Sequence, residues 1–261
     1  MQNEGDDQRG AELLHEFPDA PSAAAAQADA VARLLRDALS RSASTERAAG
    51  ASTQLATGAS GALLAVSGGR SPVPFFERLA AADLDWSRTV ITLVDERLVA
   101  PTHEQSNERL VREHLLQQHA EAARFDGLMD AGEASDLAQR LDRLNRDAAP
   151  IDVAVLGMGE DGHTASLFKG APEYAAAIDL ANPDRYCVIH PPIPPVDPPH
   201  PRISMTLAAL LSADRLILAI SGAAKREVFE RAARQPRTDL PISLLLDAAK
   251  TKGKLDVYWH P

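Results

Sequence analysis

The stretch Gly61-Ala-Leu-Leu-Ala-Val-Ser-Gly-Gly-Arg-Ser-Pro72 joins an apolar run to a glycine-rich turn. The run from Gly61 to Val66 has no polar side chain and ends at a turn, which is typical of a buried strand. The two glycines that follow allow a tight turn and expose backbone N–H groups. Pro72 stands where a new helix can begin, because its fixed φ suits the first helical turn. The stretch therefore predicts a strand, a turn and a helix in direct succession.

The same arrangement recurs three times further along the chain. Apolar runs at 89–94, 151–156 and 216–220 each end at a polar or glycine-rich turn, and longer amphipathic stretches separate them. Strands that alternate with helices predict an α/β fold, a doubly wound, mostly parallel, Rossmann-like sheet with helices on both faces. In such sheets ligands bind beyond the carboxyl ends of the strands, so the four polar turns are expected to share one crevice.

The remaining segments are assigned from composition and spacing. Residues 1–18 are expected to form a flexible N-terminal tail, and residues 19–261 a single α/β domain. Within this domain, residues 21–40 have the apolar spacing of a helix, whereas residues 42–61 are rich in Ser, Thr, Ala and Gly and are interpreted as a connecting loop. The Pro-rich segment 190–201 is expected to be an ordered surface loop, either a stiff connector or a lid over the crevice.

The composition argues against several classes of protein. The 261 residues are 45% hydrophobic and 25% charged, as in ordinary globular proteins, and the formal net charge of −10 argues against sequence-independent binding to nucleic acid. A single cysteine, Cys187, rules out an internal disulfide framework, and neither a signal peptide nor a membrane-spanning run is expected. The sequence predicts a cytoplasmic protein without nucleic-acid or membrane partners, and leaves open whether it is a monomer or a homodimer.

The turn from Ser67 to Pro72 is a candidate phosphate site. The exposed N–H groups of Gly68 and Gly69 and the positive end of the following helix favour an anion. The turn lacks the Gly-Lys-Ser/Thr ending of a nucleotide P-loop, and Gly-Gly turns also occur for purely conformational reasons. Taken alone, the turn is compatible with either interpretation.

Two further turns carry candidate chemistry. The triplet Asp95-Glu96-Arg97 is either a solvated rim or a functional site. The segment Gly157-Met-Gly-Glu-Asp-Gly162 matches the dinucleotide fingerprint, but Glu160 and Asp161 would repel a pyrophosphate, and the segment lies late in the chain. His163 follows at once and is better explained as a reactive group at a strand end, since imidazole suits acid–base work near neutral pH.

Six segments of the chain together resemble the 6-phosphogluconolactonase family, in the same order and at similar spacing. They are Ser67-Gly-Gly-Arg-Ser-Pro72, Val94-Asp-Glu-Arg97, Ser106-Asn107, Leu156-Gly-Met-Gly-Glu-Asp-Gly-His-Thr-Ala-Ser-Leu-Phe168, Arg202-Ile-Ser-Met-Thr206 and Ser221-Gly-Ala-Ala-Lys225. Glucosamine-6-phosphate deaminases of the same superfamily are less similar, since they have an Asn-Glu pair soon after Asp-Gly-His and usually an aromatic residue in place of Arg97. Two departures from the lactonase pattern are Glu160, where many members have proline, and Ser204, where many have threonine.

The resemblance implies a reaction and a set of site residues. The reaction is the hydrolysis of 6-phosphogluconolactone to 6-phosphogluconate, in the oxidative branch of the pentose phosphate pathway, with no metal or organic cofactor. His163 would activate the attacking water and Arg97 would stabilise the oxyanion. Asp161 would orient His163, and Glu96 would hold Arg97. The expected substrate-binding residues are Ser67, Gly68, Gly69, Arg70, Asp95, Asn107, Gly159, Arg202 and Lys225.

A metal-dependent hydrolase and a non-enzymatic sugar-phosphate sensor are the remaining alternatives. Asp161 and His163 could both be metal ligands, but the sequence has neither a His-Glu-x-x-His motif nor a cysteine pair. A sensor would need the phosphate turn without His163 or Arg97, and the sequence shows no recognisable effector or DNA-reading segment.

Overall fold

The computed structural model describes residues 14–49, 61–129, 136–146, 149–192 and 199–261. The helices and strands of these ranges are, in chain order, β1 (Leu14–Glu16), α1 (Ala20–Ala49), β2 (Ala62–Val66), α2 (Val73–Ala80), β3 (Thr89–Leu93), β4 (Asp95–Arg97), α3 (Asn107–His114), β5 (Arg124–Asp126), α4 (Leu137–Arg146), β6 (Val153–Gly157), α5 (Tyr174–Ala177), β7 (Tyr186–Ile189), β8 (Arg202–Met205), α6 (Leu207–Ser212), β9 (Arg215–Ser221), α7 (Gly222–Arg234), α8 (Pro241–Thr251) and β10 (Leu255–His260). Short 3₁₀ helices occupy Trp86–Arg88 and Gln118–Ala122.

Within the described ranges, seven strands form the main sheet in the order β1-β10-β9-β6-β2-β3-β5, and every pair is parallel. From β2 the chain first builds outward through β3 to β5, and then returns to the other side of β2 to build β6, β9 and β10. The order therefore reverses between β2 and β6. This reversal is the switch point at which parallel sheets leave a crevice beyond their strand ends.

Helices cover both faces of this sheet, which confirms the predicted doubly wound α/β fold. α1 packs on α2 and across β2, β6 and β10, while α7 packs on α8 and on β9 and β10. Consecutive residues of a strand point to opposite faces. On β10 the Trp259 ring lies under the α7 guanidinium of Arg226, at 4.7 Å, whereas the neighbouring Tyr258 belongs to the α1 side.

The four apolar runs form the buried strands β2, β3, β6 and β9, as predicted. Every residue of β2 is buried, which suits a central strand covered on both faces. A second, antiparallel sheet of order β4-β8-β7 lies beside the main one. The sequence gives little sign of this sheet, because β4 is a charged triplet without alternating apolar residues.

The first helix is longer than predicted, since α1 continues to Ala49 through residues that were interpreted as the start of a loop. Ser42 Oγ donates to the Gly61 carbonyl at 3.1 Å, and two other serines satisfy their hydroxyls inside the helix. Ser40 Oγ donates to the Arg36 carbonyl at 2.8 Å, and Ser44 Oγ donates to the Ser40 carbonyl at 3.0 Å. A Ser-rich composition therefore does not break this helix. Residues 50–60 of the predicted loop and residues 193–198 of the Pro-rich segment lie outside the described residues.

The predicted tail also needs a correction, because residues 14–16 form the strand β1. This strand pairs with β10 in parallel register, with Leu14 opposite Val257. Phe17 continues the attachment, since its N–H donates to the Trp259 carbonyl at 2.9 Å and its ring stacks on Tyr258 with centroids 5.7 Å apart. Residues 14–17 therefore do not belong to the predicted tail, and residues 1–13 lie outside the described residues.

None of the described helices is long and apolar enough to cross a membrane. The cytoplasmic location and the oligomeric state stay predictions.

The Phe17 attachment predicts a stability effect at a position first assigned to a tail. Phe17→Ala should lower the free energy of unfolding by about 1–3 kcal/mol, because it removes the stacking on Tyr258 and the apolar area buried with it. Urea denaturation followed by circular dichroism measures the change. Leu180→Ala is the control, since Leu180 is an exposed large hydrophobic residue. If both variants were equally stable, the contact of Phe17 with β10 would not stabilise the fold, and Phe17 would belong to the predicted tail.

Candidate active site

A cleft of about 320 Å³ opens at the switch point between β2 and β6. Most of the predicted site residues line it, namely Ser67, Gly68, Gly69, Asp95, Arg97, Asn107, Gly159, His163, Arg202 and Lys225. The predicted convergence of the polar turns on one crevice is therefore found in the structure.

The glycine turn after β2 forms one wall of the cleft. Gly69 has φ +92, a conformation that favours glycine, and a Cβ on Gly68 would lie 1.9 Å from Asn107 Oδ1. α2 begins directly afterwards, with Pro72 at its N-cap position. The Ser67 hydroxyl is buried and has no hydrogen-bond partner among the described residues. A ligand oxygen at this turn would meet that hydroxyl and the first amides of α2.

The antiparallel pairing of β4 with β8 places Arg97 directly opposite Arg202. The Arg97 side chain is held by its Nη1, which donates to the Gln105 carbonyl at 2.6 Å. Burial lowers the pKa of the Arg202 guanidinium, while Asp95 raises it and the Arg97 charge lowers it further. Like charges directly opposite each other on a sheet are destabilising. The two arginines therefore favour an anion in the cleft that both of them line.

Arg202 is fixed from several sides. Its Nη1 donates to Ser166 Oγ at 3.4 Å and lies 3.9 Å from Asp95 Oδ2, and its guanidinium carbon lies 4.9 Å from the centre of the Phe168 ring. Ser166 Oγ in turn donates to Asp95 Oδ2 at 2.5 Å. This buried network presents Arg202 to the cleft in one orientation, at little cost in side-chain entropy on binding.

The Glu96 carboxylate caps the N-terminus of α3 instead of lining the cleft. Its Oε1 accepts the N–H groups of Arg97 and Asn107 at 2.7 and 2.8 Å, and its Oε2 accepts Ser106 Oγ at 2.9 Å and the Glu108 N–H at 2.7 Å. Glu96 was expected to hold Arg97. Its contact with Arg97 is to the backbone N–H, and its other three contacts go to Ser106, Asn107 and Glu108 at the start of α3.

The turn after β6 carries His163 paired with a carboxylate. Asp161 Oδ1 contacts His163 Nδ1 at 2.5 Å and accepts the His163 N–H at 3.2 Å. Burial raises the pKa of the Asp161 carboxyl, but its hydrogen bonds and charge interaction with His163 outweigh burial and hold the pKa below its usual range. Because Nδ1 faces the carboxylate, Nε2 is the ring nitrogen that can take a proton from a ligand or water. Asp161 itself does not line the cleft and acts on His163 from behind.

Gly159 is required by the same turn. A Cβ at this position would lie 2.3 Å from His163 Nδ1 and 2.5 Å from Asp161 Oδ1. Two residues after the histidine, Ala165 has φ +51 and also lines the cleft. Backbone strain of this kind tends to occur at functional sites.

Three assigned residues lie outside the cleft lining, and one of them is Asp161, which contacts His163 from behind. Arg70 is exposed on the turn after β2, and Glu96 is fully buried under α3. Lys225 lines the cleft from the first turn of α7. Sequence reasoning missed Ser166, which contacts Arg202 and Asp95 from outside the lining, and several lining residues, among them Gln27, Ala165, Tyr258 and His260. Only Ser166 and Ala165 carried a signal, since both stand in the glycine-histidine segment.

Within the described residues, no three or more His, Cys, Asp or Glu side chains lie together so that they could hold a metal ion.

Comparisons with known proteins show to which family the chain is similar. The family model described as glucosamine-6-phosphate isomerases/6-phosphogluconolactonase matches residues 18–259. The chain belongs to this family. It is 41% identical to a 6-phosphogluconolactonase of Neisseria meningitidis over 90% of this chain and 94% of that protein. It is 39% identical to a 6-phosphogluconolactonase of Pseudomonas putida over 95% of this chain and 93% of the other.

The fold agrees as well. A crystal structure of a 6-phosphogluconolactonase from Shewanella baltica superposes with a TM-score of 0.78 at 32% identity, and covers 95% of this chain and 97% of its own. The glucosamine-6-phosphate isomerase/6-phosphogluconolactonase family is thus shown by sequence and fold together.

The Glu96 cap predicts a structural role for a residue first assigned to catalysis. Glu96→Gln should lower the free energy of unfolding by roughly 2–5 kcal/mol, because a buried NH₂ group would face donors that need an acceptor. Urea denaturation measures this loss. Glu113→Gln, which removes an exposed partner of Arg109, is the control. If the Glu96→Gln protein were as stable as the wild type but had lost its turnover, Glu96 would have a catalytic role and not a structural one.

The same residue predicts a pH dependence. Burial raises the Glu96 pKa more than its hydrogen bonds lower it, so the folded protein holds this proton more tightly than the unfolded chain. Its contribution to stability is therefore fully present below the ordinary value of 4.5 and is lost as the pH rises through the raised pKa. The Glu96→Gln protein should lack this component of the stability profile.

Proposed function

We propose that the protein hydrolyses 6-phosphogluconolactone to 6-phosphogluconate with water activated by His163. The observation that carries the proposal is the Asp161–His163 pair on a cleft that also presents two opposed arginines and a lysine. An acid–base group beside concentrated positive charge suits an anionic substrate with a hydrolysable bond. The lactonase names of the relatives point to the same reaction, and a cytoplasmic location is part of the proposal.

The phosphate group would bind at the glycine turn. Ser67 Oγ and the N–H groups of Gly68 and Gly69 would donate to its oxygens, and Lys225 and Arg202 would supply positive charge. A protein with a net charge of −10 needs such a local basic site to hold a dianion. Once anchored in this way, the lactone ring is confined to the part of the cleft that His163 lines.

The chemical step uses one histidine twice. His163 Nε2 takes a proton from water as the water oxygen forms a bond to the lactone carbonyl carbon. When the tetrahedral intermediate collapses, the bond from that carbon to the ring oxygen breaks, and the imidazolium returns its proton to the departing oxygen. The products are a carboxylic acid, which ionises, and a free hydroxyl. Asp161 stabilises the imidazolium and holds the ring with Nε2 available.

Arg97 would stabilise the oxyanion of that intermediate. Its Nη1 is fixed on the Gln105 carbonyl, and its Nε is buried without a partner among the described residues. A fixed cation with an available donor interacts most strongly with charge that develops in a cleft of low water content.

His163→Asn is expected to lower kcat roughly 10²- to 10⁴-fold, because it removes the general base. Lactone disappearance is measured against the spontaneous rate at the same pH, since the lactone also hydrolyses without enzyme. His190→Asn is a matched control, because His190 forms the same kind of pair with Glu173, at 2.6 Å, outside the cleft. A folded His163→Asn protein with near wild-type turnover would contradict the mechanism and make Asp95 the next candidate base.

Lys225→Met should raise KM roughly 10- to 100-fold and leave kcat nearly unchanged, because the phosphate is bound alike in the ground and transition states. Lys252→Met, at the exposed end of α8, should change neither constant. The dependence on Lys225 should disappear with unphosphorylated gluconolactone as substrate. If kcat collapsed at constant KM, Lys225 would act at the carbonyl instead of the phosphate.

A further inference from the structure

Gln27 lines the cleft from helix α1. α1 starts at the edge where the strands end and runs back along the sheet, and four of its residues line the cleft, namely Ala20, Ala23, Ala24 and Gln27. Their spacing of three, four and seven residues puts them on one face of the helix. Three of the four side chains are single methyl groups, and the fourth is the Gln27 amide.

The amide is buried without a hydrogen-bond partner. Gln27 is 5% exposed, and its Nε2 has no acceptor among the described residues. Its neighbours along α1, Ala28 and Val31, are buried apolar residues. Burying an amide donor without an acceptor is unfavourable, and an apolar side chain of the same shape at such a site is neutral or stabilising. A glutamine that only fills space would thus be a poor choice here.

The sheet opposite Gln27 leaves room for a ligand. Gly157 pairs with Ala219, and Ala219 pairs with Tyr258, so these three residues form one row on one face. All three line the same cleft as Gln27. Because two of them carry a hydrogen or a methyl group in place of a larger side chain, the space between α1 and the strand ends stays open beside the amide.

We propose that the Gln27 amide donates a hydrogen bond to an oxygen of the sugar phosphate bound in the cleft. Gln27 would then be a further binding residue, in addition to the catalytic residues and the residues that bind the phosphate. This inference rests on the proposed function. The acceptor is either a phosphoryl oxygen or an oxygen of the sugar acid. Both kinds of oxygen belong to the same ligand, and the cleft is small enough for either to lie near the amide.

The test is Gln27→Met, which keeps the length of the side chain and removes the donor. Two changes of opposite sense are expected. The melting temperature should stay equal or rise, because an unpaired buried donor is gone, while the dissociation constant of 6-phosphogluconate and the KM for the lactone should rise roughly 3- to 10-fold. Titration calorimetry and thermal unfolding measure the two effects on the same preparation.

A matched control is Gln117→Met. The Gln117 Nε2 already donates to the Arg112 carbonyl at 2.8 Å, and Gln117 lies outside the cleft lining. The Gln117→Met protein should be less stable than the wild type and should keep the wild-type dissociation constant for 6-phosphogluconate. Gln27→Met should instead keep its stability and bind 6-phosphogluconate more weakly.

Inorganic phosphate identifies the acceptor. If phosphate binding weakens as much as 6-phosphogluconate binding, the amide contacts the phosphoryl group, and if only 6-phosphogluconate binding weakens, it contacts the sugar acid. Unchanged binding of both ligands overturns the inference and leaves the proposed function intact. A wild-type protein that neither binds 6-phosphogluconate nor hydrolyses the lactone overturns both. Should Gln27→Met not fold, Gln27→Asn replaces it, because its shorter side chain withdraws the amide and should weaken binding in the same way.

Discussion

The buried carboxylate of Glu96 joins the strand that carries Arg97 to the helix that begins at Asn107. Its four hydrogen bonds fix β4 against the N-terminus of α3, and Asn107 then donates to the Asp95 carbonyl at 2.8 Å and packs on Gly68. Three residues of the cleft lining, Asp95, Arg97 and Asn107, are therefore held in position through one side chain that does not itself line the cleft. Such support from behind is a common requirement for a precise site.

The sequence predicted four strands of the main sheet, β2, β3, β6 and β9, because these strands lie in its interior. A strand covered on both faces must be apolar throughout, so the runs that became β2 and β6 stand out from the helices between them. The same logic placed Ser67 and His163 in one crevice, since the carboxyl ends of parallel strands meet at one edge. The family resemblance added Arg202 and Lys225, which neither periodicity nor spacing could have assigned to that crevice.

The features that sequence reasoning missed depend on contacts between distant segments. β4 is too short and too charged to be recognised as a strand, and only its pairing with β8 reveals it. Glu96 was assigned to catalysis as a residue that holds Arg97, whereas its partners are the Arg97 N–H and groups at the start of α3, which begins ten residues later. Gln27 had no signal at all, because one polar residue among alanines is ordinary for the surface of a helix.

The opposition of Arg97 and Arg202 links folding to the salt in solution. Their repulsion raises the free energy of the folded protein when no anion is bound. It does not affect the unfolded chain, in which the two residues are far apart. Any anion that settles beside them favours the folded state by mass action, whether or not it can react. Phosphate or sulfate in a buffer would then act both as a stabiliser and as a competitor for the substrate, so heat resistance and catalytic efficiency would respond to such anions in opposite directions.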